Sequence, residues 1–292
     1  MMPATPIEVQ NADPAAYVAE VDARSERIET PCGDGTMVWR AWGAADLPPL
    51  ALVHGAQGSW AHWVRNIERL SQHRRLFVAD LPGHGLSSMP ETTDHDGISA
   101  ALAKGIEAIA GSGVPIDLCG FSFGGVAFAQ FALRRPDLVR RLVIVGCGGL
   151  DTPLQRPRLS RVGGLRGEER RAALKGNLLG LMLRHDESAD ELAVHMLLPM
   201  ANAARLSVEH LVLPDRLLEV LPQLAVPLDA IWGELDWPHP DPPVQEAVLR
   251  RYQPEMIFKV IEGAGHWAMY ERPEAFEAAL LAILGQPLRQ PR

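Results

Sequence analysis

Gly120-Phe121-Ser122-Phe123-Gly124 fits the pattern G-x-S-x-G, and its flanks decide how that pattern reads. Before it, Pro115-Ile116-Asp117-Leu118-Cys119 is a short, largely apolar run suited to a buried strand. After it, residues 125–135 carry small and apolar side chains at helical spacing. Strand, sharp turn and helix make a nucleophile elbow, which holds a serine hydroxyl above the edge of a sheet. Gly120 and Gly124 leave room where the strand and helix backbones crowd. The five-residue pattern alone recurs by chance, so its meaning comes from the strand and helix around it.

Outward from the elbow the chain alternates strand and helix. Residues 27–30 and 37–42 flank Cys32-Gly33-Asp34-Gly35, which is hairpin-turn chemistry. Strands are expected at 50–53, 76–79 and 142–145, and helices at 60–71 and 98–110. Such alternation implies a largely parallel sheet. From 150 to 221 the sequence turns rich in Leu, Arg and Glu, with segments 178–183, 192–198 and 206–213 reading as amphipathic helices. Alternation resumes with a strand at 228–232, a helix at 245–251, a strand at 257–261 and a helix at 273–284. The expected architecture is α/β: a mostly parallel central sheet flanked by helices, with a helical cap inserted after the sixth strand. Its parts are a core over 1–149, a cap over 150–221 and the rest of the core over 222–292, with the tail 285–292 frayed.

At 292 residues the chain can bury a large core, and 47% apolar with 22% charged residues is ordinary for a globular protein. A net charge of −8 argues against a nucleic-acid partner. Glu168 and Glu169 interrupt the one basic cluster (Arg156, Arg158, Arg161, Arg166, Arg170, Arg171), which therefore reads as a solvated face. Cys119 and Cys147 end apolar strands and suit packing, and three cysteines make no disulfide framework. The first twenty residues lack a secretory pattern, and no apolar run approaches the roughly 20 residues of a membrane span. A cytoplasmic protein without membrane partners is expected. No H-E-x-x-H, C-x-x-C or Walker sequence occurs, so no metal or cofactor is expected.

A serine nucleophile needs a base, and the base needs an orienting acid. Around an elbow these follow in the chain order Ser, Asp or Glu, His. The strand at 228–232 runs into Gly233-Glu234-Leu235-Asp236, and that at 257–261 into Glu262-Gly263-Ala264-Gly265-His266-Trp267. Both candidates sit at C-terminal strand ends, where open α/β sheets carry their sites. Asp236 also suits a turn cap before Pro238, and Glu234 and Asp241 are rival acids. The other nine histidines compete, with His84 in a turn and His185, His195 and His210 in the helical insert; given Ser122 and Asp236, His266 is the expected base. The oxyanion donors expected are the amides of Phe123 and of Ala56, with Gln57 the fallback, while His54 and Gly55 shape the loop.

These residues together resemble the α/β-hydrolase superfamily over nearly the whole chain. The resemblance is carried by His54-Gly55, Asp80-Leu81-Pro82-Gly83-His84-Gly85, Gly120 to Gly125, Gly233 to Asp236 and Gly265-His266. Within it, Trp60 to Ile67, Gly146 to Leu150 and Gly265 to Glu271 look like the meta-cleavage-product (carbon–carbon bond) hydrolases. That likeness implies a cap-helix arginine on the carboxylate of a dienoic acid. The matching place here is His195-Met196, and Arg184 and Arg205 lie elsewhere in the insert. Phe123 also stands where that group commonly has methionine.

The activity expected is hydrolysis of a carboxylic ester, with Ser122 attacking, His266 moving the proton and Asp236 holding the imidazole. Carbon–carbon bond hydrolysis is the alternative, and a non-catalytic ligand-binding receptor the third reading. Gln57, Trp60, Trp63, Met182, Met200 and Trp267 are expected to line the pocket of a small apolar ester. A homodimer is compatible with all of this.

Overall fold

The computed structural model describes residues 13–288; residues 1–12, and residues 289–292 of the tail expected to fray, lie outside the described part. Asp13 accepts the Ala16 amide and Pro14 opens the first turn of α1 (Pro14–Ala23), a start that helices favour. Asp followed by Pro is a local sequence signal for such a helix start. β1 (Glu26–Cys32) and β2 (Gly35–Trp42) form the expected hairpin, with Gly33 at φ +53 in the turn.

β3 (Pro49–Val53), α2 (Ile67–Leu70) and β4 (Arg75–Ala79) follow. One helix over 60–71 was expected, but the segment divides into a 3₁₀ turn (Trp60–Trp63) and α2. Between them Asn66 donates to the Met269 carbonyl and to Glu277, and this tertiary tie competes with a continuous helix. α3 (His95–Ala110), β5 (Ile116–Phe121), α4 (Phe123–Arg134) and β6 (Val139–Val145) complete the first half.

After β6 the chain leaves the sheet for α5 (Gly167–Leu181) and α6 (Glu191–Ala203). The third helix expected at 206–213 does not form, and only a 3₁₀ turn (Glu209–Leu211) stands there. Pro214 cannot continue a helix, and Leu206, Val208 and Leu211 bury against the main core instead. β7 (Leu228–Gly233), α7 (Pro242–Arg250), β8 (Phe258–Ile261), α8 (Ala268–Glu271) and α9 (Pro273–Leu284) close the chain. No helix among the described residues is long and apolar enough to cross a membrane.

The strands form one eight-stranded sheet in the order β1-β2-β4-β3-β5-β6-β7-β8. β1, β2 and β4 pair antiparallel, and every other pairing is parallel. Side chains alternate between two core clusters: Ala51 and Val53 of β3 join one, Leu50 and Leu52 the other. Helices therefore cover both faces, as a parallel sheet requires.

Arg141 of β6 is fully buried beside Asp229 of β7 at 3.4 Å. It also donates to the carbonyls of Ile283, Gln286 and Pro287, tying the end of α9 to the sheet. Asp229 in turn accepts the Ile257 amide at 2.6 Å. Replacing Arg141 by methionine strips Asp229 of its arginine inside the core. The expected loss is about 3–5 kcal/mol of unfolding free energy, read from urea denaturation.

Candidate active site

Ser122 joins β5 to α4 at φ +51 and ψ −118, a conformation that L-residues seldom adopt. Its amide donates to the Val145 carbonyl at 2.8 Å, and its own carbonyl accepts the Gly125 amide at 3.0 Å. The glycines around it are sterically required. A Cβ on Gly120 would lie 2.5 Å from the Gly124 carbonyl oxygen, and one on Gly124 2.5 Å from that of His54. A Cβ on Gly125 would collide with Cys147 Sγ.

At the end of β7, Asp236 Oδ2 lies 2.9 Å from His266 Nδ1, and Asp236 Oδ1 accepts the His239 amide at 2.9 Å. Both side chains are buried. Pairing with the carboxylate assigns the proton to Nδ1 and leaves the Nε2 lone pair free to accept one. Gly146 follows Val145, the residue that holds the Ser122 amide, and stands at φ +54. A Cβ there would come 3.0 Å from Asp236 Oδ2 and 3.2 Å from His266 Nδ1. The Phe121 and His266 rings are 4.9 Å apart. The ends of β5, β6 and β7 and the loop after β8 thus bring Ser122, Asp236 and His266 into one region. Of the rival acids, Glu234 accepts the Gly263 amide instead, and Asp241 precedes α7 at φ +58.

The loop after β3 packs against the elbow: a Cβ on Gly55 would stand 3.1 Å from Ser122 Cβ. Two buried histidines clamp that loop. Leu81 donates its amide to His54 Nε2, so His54 Nδ1 carries the proton and donates to the Gly55 carbonyl at 2.8 Å. His62 Nδ1 accepts the Gly55 amide at 3.3 Å. Burial holds both imidazoles neutral, His54 well below its ordinary range and His62 at about 3. Ala56 and Gln57 (φ +54) project at the exposed tip, and Phe123 starts α4. His62 was not singled out from sequence, because nothing local reveals a partner seven residues away across a turn.

Several expected pocket residues have packing roles instead. Trp63 has no exposed surface and packs 5.9 Å from Phe276. Trp60 is held between Trp42 and Arg40, and Trp267 stacks on Tyr270 while its indole N–H donates to the His62 carbonyl. Met200 is buried in the core beneath α6, and half-buried Met182 accepts the Trp267 amide through its carbonyl. Glu271, quoted above only for its family likeness, is a structural tie: Oε2 accepts the Gly265 amide, and Oε1 accepts those of Arg184 and His185. A second tie joins the insert to the core. Arg65 stacks 3.9 Å over the Tyr270 ring and pairs with Asp190, which also accepts the Tyr270 hydroxyl.

Two arginines of the insert have contacts within the fold. Arg184 stacks on Trp237, and Arg205 donates to the Gly85 and Ser87 carbonyls. His195 is exposed in an outer groove beside Asp13 and Arg170, while Met196 is buried.

A model of the alpha/beta hydrolase family matches residues 50–279. A 2-hydroxy-6-oxo-2,4-heptadienoate hydrolase from Pseudomonas putida is 38% identical over 112 residues, 36% of this chain and 40% of that protein. A 2-hydroxy-6-oxononadienedioate/2-hydroxy-6-oxononatrienedioate hydrolase from Paraburkholderia phymatum is 30% identical over 260 residues, 81% of this chain and 87% of that one. This chain spans less than half the length of the first curated relatives it matches. Among solved structures, an esterase from Rhodococcus sp. superposes with a TM-score of 0.74 at 22% identity, covering 89% of this chain and 98% of that one, which is a likeness of fold.

The buried histidines make stability depend on pH. His54, His62, His84, His95 and His239 titrate below 6.5 in the folded protein, the last two at about 4, chiefly through burial. The unfolded chain binds their protons first, so stability is full above about 6.5 and falls as pH drops toward 4. Glu277, raised by burial to about 7, acts the other way, gaining stability as pH falls from 7 to 4.5. Five histidines against the two raised carboxyls, Glu277 and Asp117, leave a net loss, each histidine contributing about 1.4 kcal/mol per pH unit well below 6.5. Denaturant midpoints measured between pH 7 and 4.5 should fall; a flat or rising series would contradict the neutral imidazoles.

Proposed function

Because this chain belongs to the α/β hydrolase family, we propose that it is a serine hydrolase of carboxylic esters. One observation carries the reading: the buried 2.9 Å Asp236–His266 pair in the region of a serine with φ +51. Ser122 Oγ attacks the ester carbonyl as His266 Nε2 takes its proton, and the Phe123 and Ala56 amides receive the oxyanion. Collapse of the tetrahedral intermediate breaks the carbon–oxygen bond, and His266 returns the proton to the leaving alcohol. Water then attacks the acyl-enzyme with the same base, releasing the acid and restoring Ser122. Asp236 keeps the proton on Nδ1 and stabilises the imidazolium formed in each half. The Ser122 hydroxyl makes no hydrogen bond to His266 in the free protein, and such contacts often close only when substrate binds.

Residues 150–221 would cap the site over a small ester. An ester is favoured over a dienoate because the place of the cap-helix arginine is taken by His195, which faces an outer groove, and by buried Met196. Carbon–carbon hydrolysis of a dienoate is the second reading, supported by the names of the Pseudomonas and Paraburkholderia relatives.

A fluorophosphonate probe should label Ser122 and lose that label in Ser122→Ala and His266→Ala. Turnover of short p-nitrophenyl esters should fall about ten-thousandfold in Ser122→Ala. Turnover of a ring-fission dienoate faster than these esters by orders of magnitude would install the second reading, and a protein that resists labelling would sink both.

A further inference from the structure

His239 lines a cavity of about 140 Å³ together with Leu150, Asp151, Leu154, Arg156 and Leu213. An apolar space of about 150 Å³ holds a benzene ring, so this one has room for a small ring. The position of His239 is set by its backbone, whose N–H donates to Asp236 Oδ1 and whose carbonyl accepts Trp232 Nε1 at 3.3 Å. Its ring lies 5.6 Å from that of His266, and a Cβ on Gly148 would stand 2.7 Å from its Cε1. His239 is therefore the wall shared by the cavity and the Asp236–His266 pair.

The residue is only 7% exposed, yet neither ring nitrogen hydrogen-bonds another described residue. Neither nitrogen is among the fully enclosed side-chain atoms that lack a partner, so the ring's polar atoms are reachable and can pair with whatever occupies the cavity it lines. Burial, then repulsion from His266, lowers its pKa to about 4, so at neutral pH it presents one N–H and one lone pair. A hydroxyl complements both.

Two further constraints select the occupant. His266 must reach the leaving oxygen to return its proton, so the alcohol half of an ester lies on the His266 side of the site. The cavity walls also disfavour an anion: the Asp151 carboxylate makes no ion pair among the described residues, whereas Arg156 is held by Glu209 at 2.8 Å. We propose that this cavity binds the leaving alcohol as a small ring, and that His239 hydrogen-bonds a hydroxyl on that ring, a role that rests on the Ser122–His266 reading above.

The test compares phenyl acetate, 3-hydroxyphenyl acetate and 3-carboxyphenyl acetate on wild type, His239→Leu and Leu154→Trp, which fills the cavity from another wall. Wild type should prefer the hydroxylated ester by about tenfold in kcat/KM and discriminate against the carboxylated one. In both variants that preference should collapse toward unity, whatever each costs in absolute rate. A ratio unchanged in His239→Leu, or a wild-type preference for the carboxylate, would overturn the proposal. Competition by resorcinol and phenol for Ser122→Ala protein reads the cavity without turnover, and equal affinities would overturn it as well. Failure of wild type to hydrolyse any of the three esters, with resorcinol still preferred, would overturn the serine-hydrolase reading and leave the cavity's preference standing.

Discussion

Three chain segments meet at Ser122 more closely than side chains permit. The Gly124 carbonyl lies where a Gly120 Cβ would be, and the His54 carbonyl where a Gly124 Cβ would be. Removing those side chains lets β5, α4 and the loop after β3 converge, and Ser122 is bent into a left-handed conformation between them. Such a backbone costs on the order of 1–3 kcal/mol and persists only where its surroundings over-determine it. Here the Val145 carbonyl and the first turn of α4 do so. The rest of the site is arranged relative to this fixed corner: Gly146 faces the Asp236–His266 pair, and Gly55 faces Ser122.

Around that corner the backbone of the flanking loops is already partnered. His54 and His62 hold the two backbone groups of Gly55, so the loop that would supply an oxyanion donor is set before substrate arrives. Glu271 performs the corresponding task on the other side, spanning from Gly265, next to His266, to Arg184 and His185 in the insert. Any movement of the insert is thereby mechanically coupled to the loop that carries His266. The Arg65–Asp190–Tyr270 group adds a second attachment at the start of α6.

Legibility followed the range of the interaction. Ser122, Asp236 and His266 each sit in a short stretch whose glycines, strand and turn are written consecutively, so local chemistry was enough to find them. The helix expected over 206–213 and the continuous helix over 60–71 failed where tertiary burial and the Asn66 ties overrode periodicity. Trp63 and Trp267 look like pocket residues because tryptophan commonly lines pockets, yet both rings are wholly inside the core. Whether a large aromatic faces a cavity or a packed layer depends on neighbours far away in the chain, such as Phe276 for Trp63.

The sequence by itself determined the alternation that builds a parallel sheet, the elbow, and the order in which its partner residues arrive. These are matters of period, turn chemistry and spacing, which act over a few residues. Only the tertiary structure decided which histidines clamp the Gly55 loop, that Glu271 rather than a charged surface contact ties the insert to His266, and that His239 opens onto a cavity. Those assignments depend on the direction of side chains from segments as far as 211 residues apart, such as Asn66 and Glu277. Burial and close packing fix such directions, and they exist only once the chain has folded.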